Sequence, residues 1–179
     1  MLENLLHKLT IIIPTHNRPE ALKRNLEYIK KIKIKSNIII VDSSKKKKNY
    51  LKDYEYFYIP NKNANIKIFK ILGKIKTKYV FTVADDDLLI PSGLIKCMLF
   101  LEKNKKFIGA HGKYFTHSKL INLDFLNIYK YLPIAYRNYD YDSEKQKSFN
   151  RSLEYLNGKM APTNYAVFKS SILKKLEIA

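Results

Sequence analysis

YVFTVADDDLLIPSG, residues 79–93, is an apolar run that ends in three consecutive carboxylates, Asp85, Asp86 and Asp87. The β-branched and aromatic residues that open the segment are typical of a buried strand. Adjacent carboxylates repel one another, and withdrawing any of them from water costs free energy unless a cation or hydrogen bonds compensate. The segment therefore predicts a buried strand whose end needs a partner for these charges.

Apolar strands alternate with amphipathic helices on either side of this segment. Buried strands are predicted at residues 9–14, 37–42, 54–60 and 79–83, and helices from Pro19, at residues 64–75, and at 92–104 with Ser92 as the N-cap. Because continuously apolar strands are covered on both faces, this order favours a mostly parallel α/β sheet with helices on both sides. Further along, we predict a strand within 107–115, a helix at 143–156, and a strand followed by a helix within 163–179. No linker or internal repeat separates a second domain.

Composition indicates one folded domain and does not identify a partner. The 179 residues are 46% hydrophobic and 13% aromatic, which suits a chain that buries a core. The net charge of +18 comes from 30 Lys and only 4 Arg, so arginine, the residue best suited to bidentate phosphate recognition, is scarce. A basic nucleic-acid-binding protein is therefore a third hypothesis only, and it predicts steep salt dependence of affinity for DNA or RNA.

The lone cysteine and the apolar runs bear on the compartment. Cys97 excludes an internal disulfide, and its apolar surroundings favour a small buried hydrophobe over a nucleophile. The first residues lack the features of a signal peptide, and no apolar run approaches the roughly 20 residues of a membrane span. We expect a cytoplasmic protein, and the basic charge allows peripheral association with an anionic membrane.

Polar residues follow three of the predicted strands. In an open parallel sheet, ligands bind beyond the carboxyl ends of the strands, so these residues are expected on one rim. Hard carboxylate oxygens suit Mg²⁺ or Mn²⁺ held together with substrate phosphates. Neither a Gly-x-Gly-x-x-Gly nor a Walker A motif is present, which disfavours dinucleotide dehydrogenases and P-loop enzymes. The three sets are Thr15 with His16 and Asn17, Asp42 with Ser43, and Asp85 with Asp86 and Asp87.

Three ordered segments resemble the inverting glycosyltransferases of family 2. They are LTIIIPTHNRPEALKRNLEYI at 9–29, IIIVDSS at 38–44, and YVFTVADDDLLIPSGL at 79–94. The resemblance implies the Rossmann-like GT-A fold of nucleotide-diphospho-sugar transferases. It also implies that residues 1–105 form a nucleotide-sugar-binding half and that 106–179 form the acceptor-side half of the same domain.

The resemblance also assigns site residues. The donor nucleotide is expected to lie against Pro14, Thr15, His16, Asn17, Asp42 and Asp85, and a Mn²⁺ or Mg²⁺ ion against Asp86 and Asp87. Two alignments of the acidic triplet are open. If Pro91 matches the family's proline before the third helix, Ala84 replaces the first Asp and Asp86 is the metal ligand. Taken literally, the motif is Asp85-x-Asp87.

The catalytic base is the main departure from the family pattern. These enzymes carry an Asp or Glu, commonly as Glu-Asp, some residues beyond a segment similar to YAVFKSSILKKL at 165–176, and this chain ends at Ala179. Either the chain is C-terminally truncated, or Asp140, Asp142 or Glu144 substitutes, or no transfer occurs. The expected partners are a UDP- or GDP-sugar donor and a sugar or lipid-linked acceptor, in cell-surface polysaccharide or glycoconjugate synthesis. The alternative is a truncated, non-catalytic nucleotide-binding domain.

Overall fold

The computed structural model describes residues 2–112, 115–116, 135–136 and 165–176. The chain divides into two compact units, one formed by residues 1–112 with 162–179 and the other by residues 113–161. In the first unit lie β1 (Leu9–Thr15), α1 (Pro19–Lys31), β2 (Asn37–Asp42), β3 (Glu55–Tyr58), α2 (Ala64–Ile71), β4 (Tyr79–Thr82), α3 (Pro91–Lys103), β5 (Gly109–His111), β8 (Ala166–Lys169) and α4 (Ser170–Leu176). In the second unit, β6 (Phe115–Thr116) pairs antiparallel with β7 (Ala135–Tyr136).

The six strands described in the first unit form one sheet in the order β3-β2-β1-β4-β8-β5. The pairs β3-β2, β2-β1 and β1-β4 are parallel, whereas β8 runs antiparallel to both β4 and β5. β2 and β3 lie on one side of β1, and the chain then crosses to the other side of β1 to form β4. This reversal places a crevice beyond the carboxyl ends of β1 and β4, where ligands bind in open α/β sheets.

Alternating residues of the central strands pack against helices on opposite faces. On one face, Ile11 and Ile13 of β1 pack with α1, α3 and the 3₁₀ helix Leu2–Lys8. On the other face, Ile12 packs with the end of α2, the 3₁₀ turn Leu72–Lys74 and α4. The predicted α/β class, mostly parallel and with helices on both faces, is confirmed.

Two helices differ from prediction at their ends. Ser92 is not an N-cap, because α3 begins at Pro91 with Ile90 in the N-cap position, where no side chain caps the helix. Proline's fixed φ angle suits the first helical position, and its missing N–H needs no partner there. The helix predicted at 64–75 is α-helical only to Ile71 and then tightens into the 3₁₀ turn. The helix predicted at 143–156 lies outside the described residues.

Candidate functional site

The ends of β1 and β4 are joined by a hydrogen bond at the point where strand order reverses. Thr15, the last residue of β1, donates its Oγ1 hydroxyl to Oδ2 of Asp85 at 2.6 Å, and both side chains are buried. The carbonyl of the same threonine accepts the Ser43 N–H at 3.1 Å, which ties in the end of β2. The three polar sets predicted to share one rim are therefore in contact.

Arg18 supplies the cation that the acidic triplet requires. Its Nη1 lies 3.0 Å from Oδ1 of Asp85, and its Nη2 pairs with Oδ2 of Asp86. The Arg18 side chain is 50% exposed and Asp86 is 40% exposed, whereas Asp85 is only 4% exposed. One guanidinium thus bridges a buried and an exposed carboxylate at the mouth of the crevice.

The pKa values of the two carboxylates that pair with Arg18 shift in opposite directions. Burial raises the pKa of Asp85 above its usual value, although the Thr15 hydrogen bond and Arg18 oppose this shift. The hydrogen bond from Arg18 lowers the pKa of Asp86, and burial only partly offsets it. Ionised Asp85 therefore costs folding stability above its pKa, while ionised Asp86 contributes stability that is lost as the pH falls through its lowered pKa.

Lys67 places a second cation under the same strand end. It is 2% exposed, and its Nζ donates to the carbonyl oxygen of Thr15 at 2.7 Å. Burial lowers the pKa of Lys67, and the charges of Asp42 and Asp85 oppose that shift. Sequence reasoning missed this residue, although a lysine on the apolar stripe of α2, four residues before the buried Ile71, is a usable signal.

Asp42 is fully buried and organises the turn after β2. Its Oδ1 accepts the Ser44 N–H at 2.7 Å, and its Oδ2 accepts the Tyr56 hydroxyl at 2.8 Å. The same hydroxyl accepts the N–H of Lys48, the last lysine of the run at 45–48, at 3.1 Å, so it ties that run to the site. Burial is the main cause that raises the pKa of Tyr56 to about 12, so the phenol keeps its proton and goes on donating.

His16 and Asn17 connect the turn after β1 to the turn after β2. Asn17 adopts a left-handed backbone conformation with φ of 53°, which asparagine tolerates better than most residues. Its N–H donates to Oγ of Ser44 at 2.8 Å, and its Oδ1 accepts the Lys45 N–H at 3.0 Å. Nδ1 of His16 lies 2.9 Å from the Ser43 carbonyl oxygen. Pro14, also predicted at this rim, is paired in β1 and partly exposed.

Two residues not predicted from sequence hold the acidic turn in place. Buried Asn25 of α1 donates through Nδ2 to the carbonyl oxygens of Ala84 at 3.1 Å and Asp87 at 2.6 Å. The hydroxyl of Tyr165, just before β8, donates to Oδ2 of Asp87 at 2.6 Å. The burial of Asn25 could have been predicted from sequence, since it lies on the buried stripe of α1 with Leu22 and Leu26. Tyr165 lies far from Asp87 in sequence, and only the tertiary structure brings the two together.

Comparison with protein-family models identifies the family of the chain. The model of glycosyl transferase family 2 matches residues 10–176, nearly the whole chain. The chain belongs to glycosyl transferase family 2. The resemblance of the three motif segments is thereby confirmed, and Thr15, Asp42 and the acidic triplet all lie within the matched range.

Solved structures agree with the family at the level of fold. S. aureus TarS, residues 1–349, has a TM-score of 0.55 at 13% identity over 95% of this chain and 49% of its own. The same protein in complex with UDP-GlcNAc gives 0.57 at 13% identity over 95% of this chain and 47% of its own. The mannosyltransferase PcManGT from Pyrobaculum calidifontis, in complex with GDP-Man and Mn²⁺, gives 0.55 at 15% identity over 94% of this chain and 46% of its own. These similarities confirm the GT-A fold.

The same comparisons set the extent of the match. This chain spans about half the length of those structures, 49% for the first of them. No curated protein sequence matches it. Family membership and fold are thus established for this chain.

The residues at the rim fit a divalent metal held jointly with a phosphate ligand. The described residues contain no group of three or more His, Cys, Asp or Glu side chains placed to hold a metal alone. Mg²⁺ and Mn²⁺ commonly take one or two carboxylates and complete their shell with substrate phosphates. Among the described residues, Arg18 forms ion pairs with Asp85 and Asp86, and Asp87 accepts the Tyr165 hydroxyl, so the triplet carries more negative charge than its one ion-pair partner offsets. The donor atoms and the charge both suit a divalent ion.

Other predicted features have simpler outcomes. Asp140, Asp142 and Glu144 lie outside the described residues, so their candidacy as the base stays a prediction. Cys97 is buried, as predicted. No helix in the described part of the chain combines the length and apolar character needed to cross a bilayer.

Proposed function

We propose that this chain is the donor-binding part of a glycosyltransferase that moves a sugar from a nucleoside-diphosphate donor to a hydroxyl acceptor with inversion. Membership of family 2 supports the reaction class. The observation that carries the proposal is the Thr15–Asp85 hydrogen bond. It links the ends of β1 and β4 where strand order reverses, and so holds the acidic triplet beside the crevice. That crevice is where nucleotides bind in this class of sheet.

The donor nucleotide is proposed to lie over the turns that follow β1 and β2. Pro14 and Thr15 end β1, and His16 and Asn17 begin the turn that follows. Asp85 would accept from the ribose hydroxyls, which requires the Thr15 hydroxyl or Arg18 to share or release one of its oxygens. Asp42 would support the nucleotide base indirectly, because its Oδ1 fixes the turn at Ser44 against which the base is proposed to lie. A direct bond from its Oδ2 to a base N–H requires the Tyr56 hydroxyl to turn away or share the oxygen.

Asp86 and Asp87 are the proposed ligands of Mn²⁺ or Mg²⁺. Asp86 is the more accessible of the two carboxylates that Arg18 contacts, which favours the alignment in which it is the principal ligand. A bound divalent ion would supply charge neutralisation for the departing nucleoside diphosphate. The chain's own part is to hold the diphosphate's end of the donor over β4 and to exclude water from the buried Thr15–Asp85 contact.

The transfer itself is a single displacement. The acceptor oxygen forms a bond to the anomeric carbon from the face opposite the leaving group, and the bond from that carbon to the diphosphate oxygen breaks. The acceptor proton passes to a carboxylate base. Asp140, Asp142 and Glu144 are the proposed bases within this chain, and loss of a positioned base would cost roughly 10²- to 10⁴-fold in rate.

Calorimetric titration with UDP and with GDP, each with and without Mn²⁺, tests the donor site. We expect binding that depends on Mn²⁺, is lost in an Asp85/Asp86/Asp87→Ala variant, and is kept in Asp53→Ala, which removes an exposed carboxylate away from the rim. Absence of binding of both nucleotides in the presence of Mn²⁺ would contradict the proposal. Binding without turnover of any sugar donor would instead support a non-catalytic nucleotide-binding domain.

We further propose that the acceptor is a sugar or lipid-linked molecule used in cell-surface polysaccharide or glycoconjugate synthesis, reached by peripheral contact with an anionic membrane. The support is the net charge of +18. Sedimentation with phosphatidylglycerol vesicles, compared with phosphatidylcholine vesicles, tests this contact. Equal sedimentation with both lipids would count against it.

A further inference from the structure

Arg18 pairs with a carboxylate that would hold the metal under the proposed function. Its Nη2 pairs with Oδ2 of Asp86, the more exposed of the two carboxylates, while its Nη1 lies 3.0 Å from Oδ1 of Asp85. A divalent cation at Asp86 and a guanidinium on the same oxygen would repel each other at contact distance. The two cations therefore compete for one carboxylate.

Among the described residues, Asp85 and Asp86 are the side chains that hold the Arg18 guanidinium. Arg18 stands in the N-cap position of α1, where its side chain makes no capping hydrogen bond, and that side chain is 50% exposed. Lys67 differs, because it is buried and anchored on the Thr15 carbonyl. Arg24 differs as well, because it is exposed on α1 and acts on Asp86 only through its charge.

We propose that Arg18 is an exchanging counterion: it neutralises Asp86 while the site is empty, and when metal binds it leaves Asp86 and pairs with the diphosphate of the donor. This inference rests on the proposed function. A planar guanidinium released beside a metal-bound diphosphate is matched to bidentate contact with phosphate oxygens. The residue would thus weaken binding of metal alone and strengthen binding of metal with nucleotide.

These opposite effects distinguish exchange from a merely structural role. Mn²⁺ binding without nucleotide can be followed from the electron paramagnetic resonance of free Mn²⁺. In Arg18→Gln we expect Mn²⁺ to bind about fivefold more tightly, since an exposed ion pair no longer competes. At saturating Mn²⁺, calorimetry should show that UDP or GDP binds roughly tenfold or more weakly, since a charged hydrogen bond to phosphate is lost.

Two further variants control for charge and for folding. Arg24→Gln removes one positive charge from the same helix without a contact to Asp86, so both affinities should change by less than about twofold. Arg18→Lys keeps the charge but not the bidentate geometry, so its nucleotide affinity should fall between wild type and Arg18→Gln. Far-UV circular dichroism checks folding, and if Arg18→Gln is unfolded the lysine variant carries the test.

The outcomes separate the two proposals. If the wild-type chain binds neither Mn²⁺ nor nucleotide, the metal-assisted function is wrong and the exchange with it. If the wild type binds both and Arg18→Gln leaves Mn²⁺ affinity unchanged or weakens it, Arg18 does not compete with the metal, and the exchange alone is overturned. A stronger affinity for Mn²⁺ together with a weaker affinity for nucleotide supports the exchange.

Discussion

Replacing Asn25 with leucine tests how the fold positions the acidic turn. The Asn25 amide donates to two carbonyl oxygens of the turn, those of Ala84 and Asp87. The Ala84 carbonyl oxygen also accepts the Asp87 N–H at 3.2 Å and would keep that hydrogen bond. The substitution therefore leaves mainly the Asp87 carbonyl without a donor. Two lost hydrogen bonds and one unpaired, partly buried carbonyl outweigh the relief from removing the buried Asn25 Oδ1, which has no hydrogen-bond partner in the described part of the chain. The net loss should be about 2–3 kcal/mol of unfolding free energy.

This loss is measurable by urea unfolding followed by far-UV circular dichroism. For a chain of this size, about 2–3 kcal/mol corresponds to a fall in melting temperature of about 4–12 °C. Asn104→Leu is the matched control, because Asn104 donates to the Phe100 carbonyl at 2.9 Å in an exposed position, so we expect less than about 1 kcal/mol. Equal losses in the two variants, or a loss below about 1 kcal/mol at Asn25, would refute the role given to this side chain.

Three more predictions concern charge, capping and the turn after β2. Because burial raises the pKa of Asp85, Asp85→Asn should raise the melting temperature at pH 7 while abolishing metal-dependent nucleotide binding, and the gain should vanish as the pH is lowered through the Asp85 pKa. Asp86→Asn should instead lower the melting temperature slightly at pH 7, and that loss should vanish as the pH falls through the lowered pKa of Asp86; the same sign for both variants at pH 7 would contradict the assignment. Asn63→Ala should cost about 1 kcal/mol, since its Oδ1 accepts the Ile66 N–H, whereas Ser92→Ala should be nearly neutral; paired urea titrations compare them. Tyr56→Phe should cost about 1–3 kcal/mol and weaken UDP or GDP binding, because a buried carboxylate loses a donor; unchanged stability and affinity would remove Tyr56 from the site.

Local pattern was enough to predict the parallel half of the sheet. Apolar runs and helical spacing located β1 to β4 and α1 to α3, because each of these elements buries a face that its own residues define. The approach of β8 between β4 and β5 could not be derived in this way. Its pairing partners lie 55 to 90 residues away in the chain, and only the closed sheet brings them together.

The sequence was enough to predict where the candidate site lies on the sheet, but not which side chains contact one another there. Strand ends indicated that Thr15 and Asp85 share an edge, and like-charge repulsion indicated that the triplet needs a cation. The identity of that cation was not predictable, because Arg18 reaches the triplet through the geometry of the turn after β1. Lys67 and Asn25 were visible only as polar residues on apolar helix stripes, a pattern that signals burial without naming the partner.

The balance of charge at the rim argues that stability is given up there for ligand binding. Burial raises the pKa of Asp85, so its ionised form destabilises the folded chain at neutral pH. A neutral residue would pack at this position at lower cost, yet it would leave Arg18 with only one carboxylate. With Asp85 ionised, Lys67 is the fixed cation and Arg18 the movable one, and the remaining negative charge attracts a divalent ion. A nucleoside diphosphate alone would be repelled by that charge, so its binding should depend on the metal.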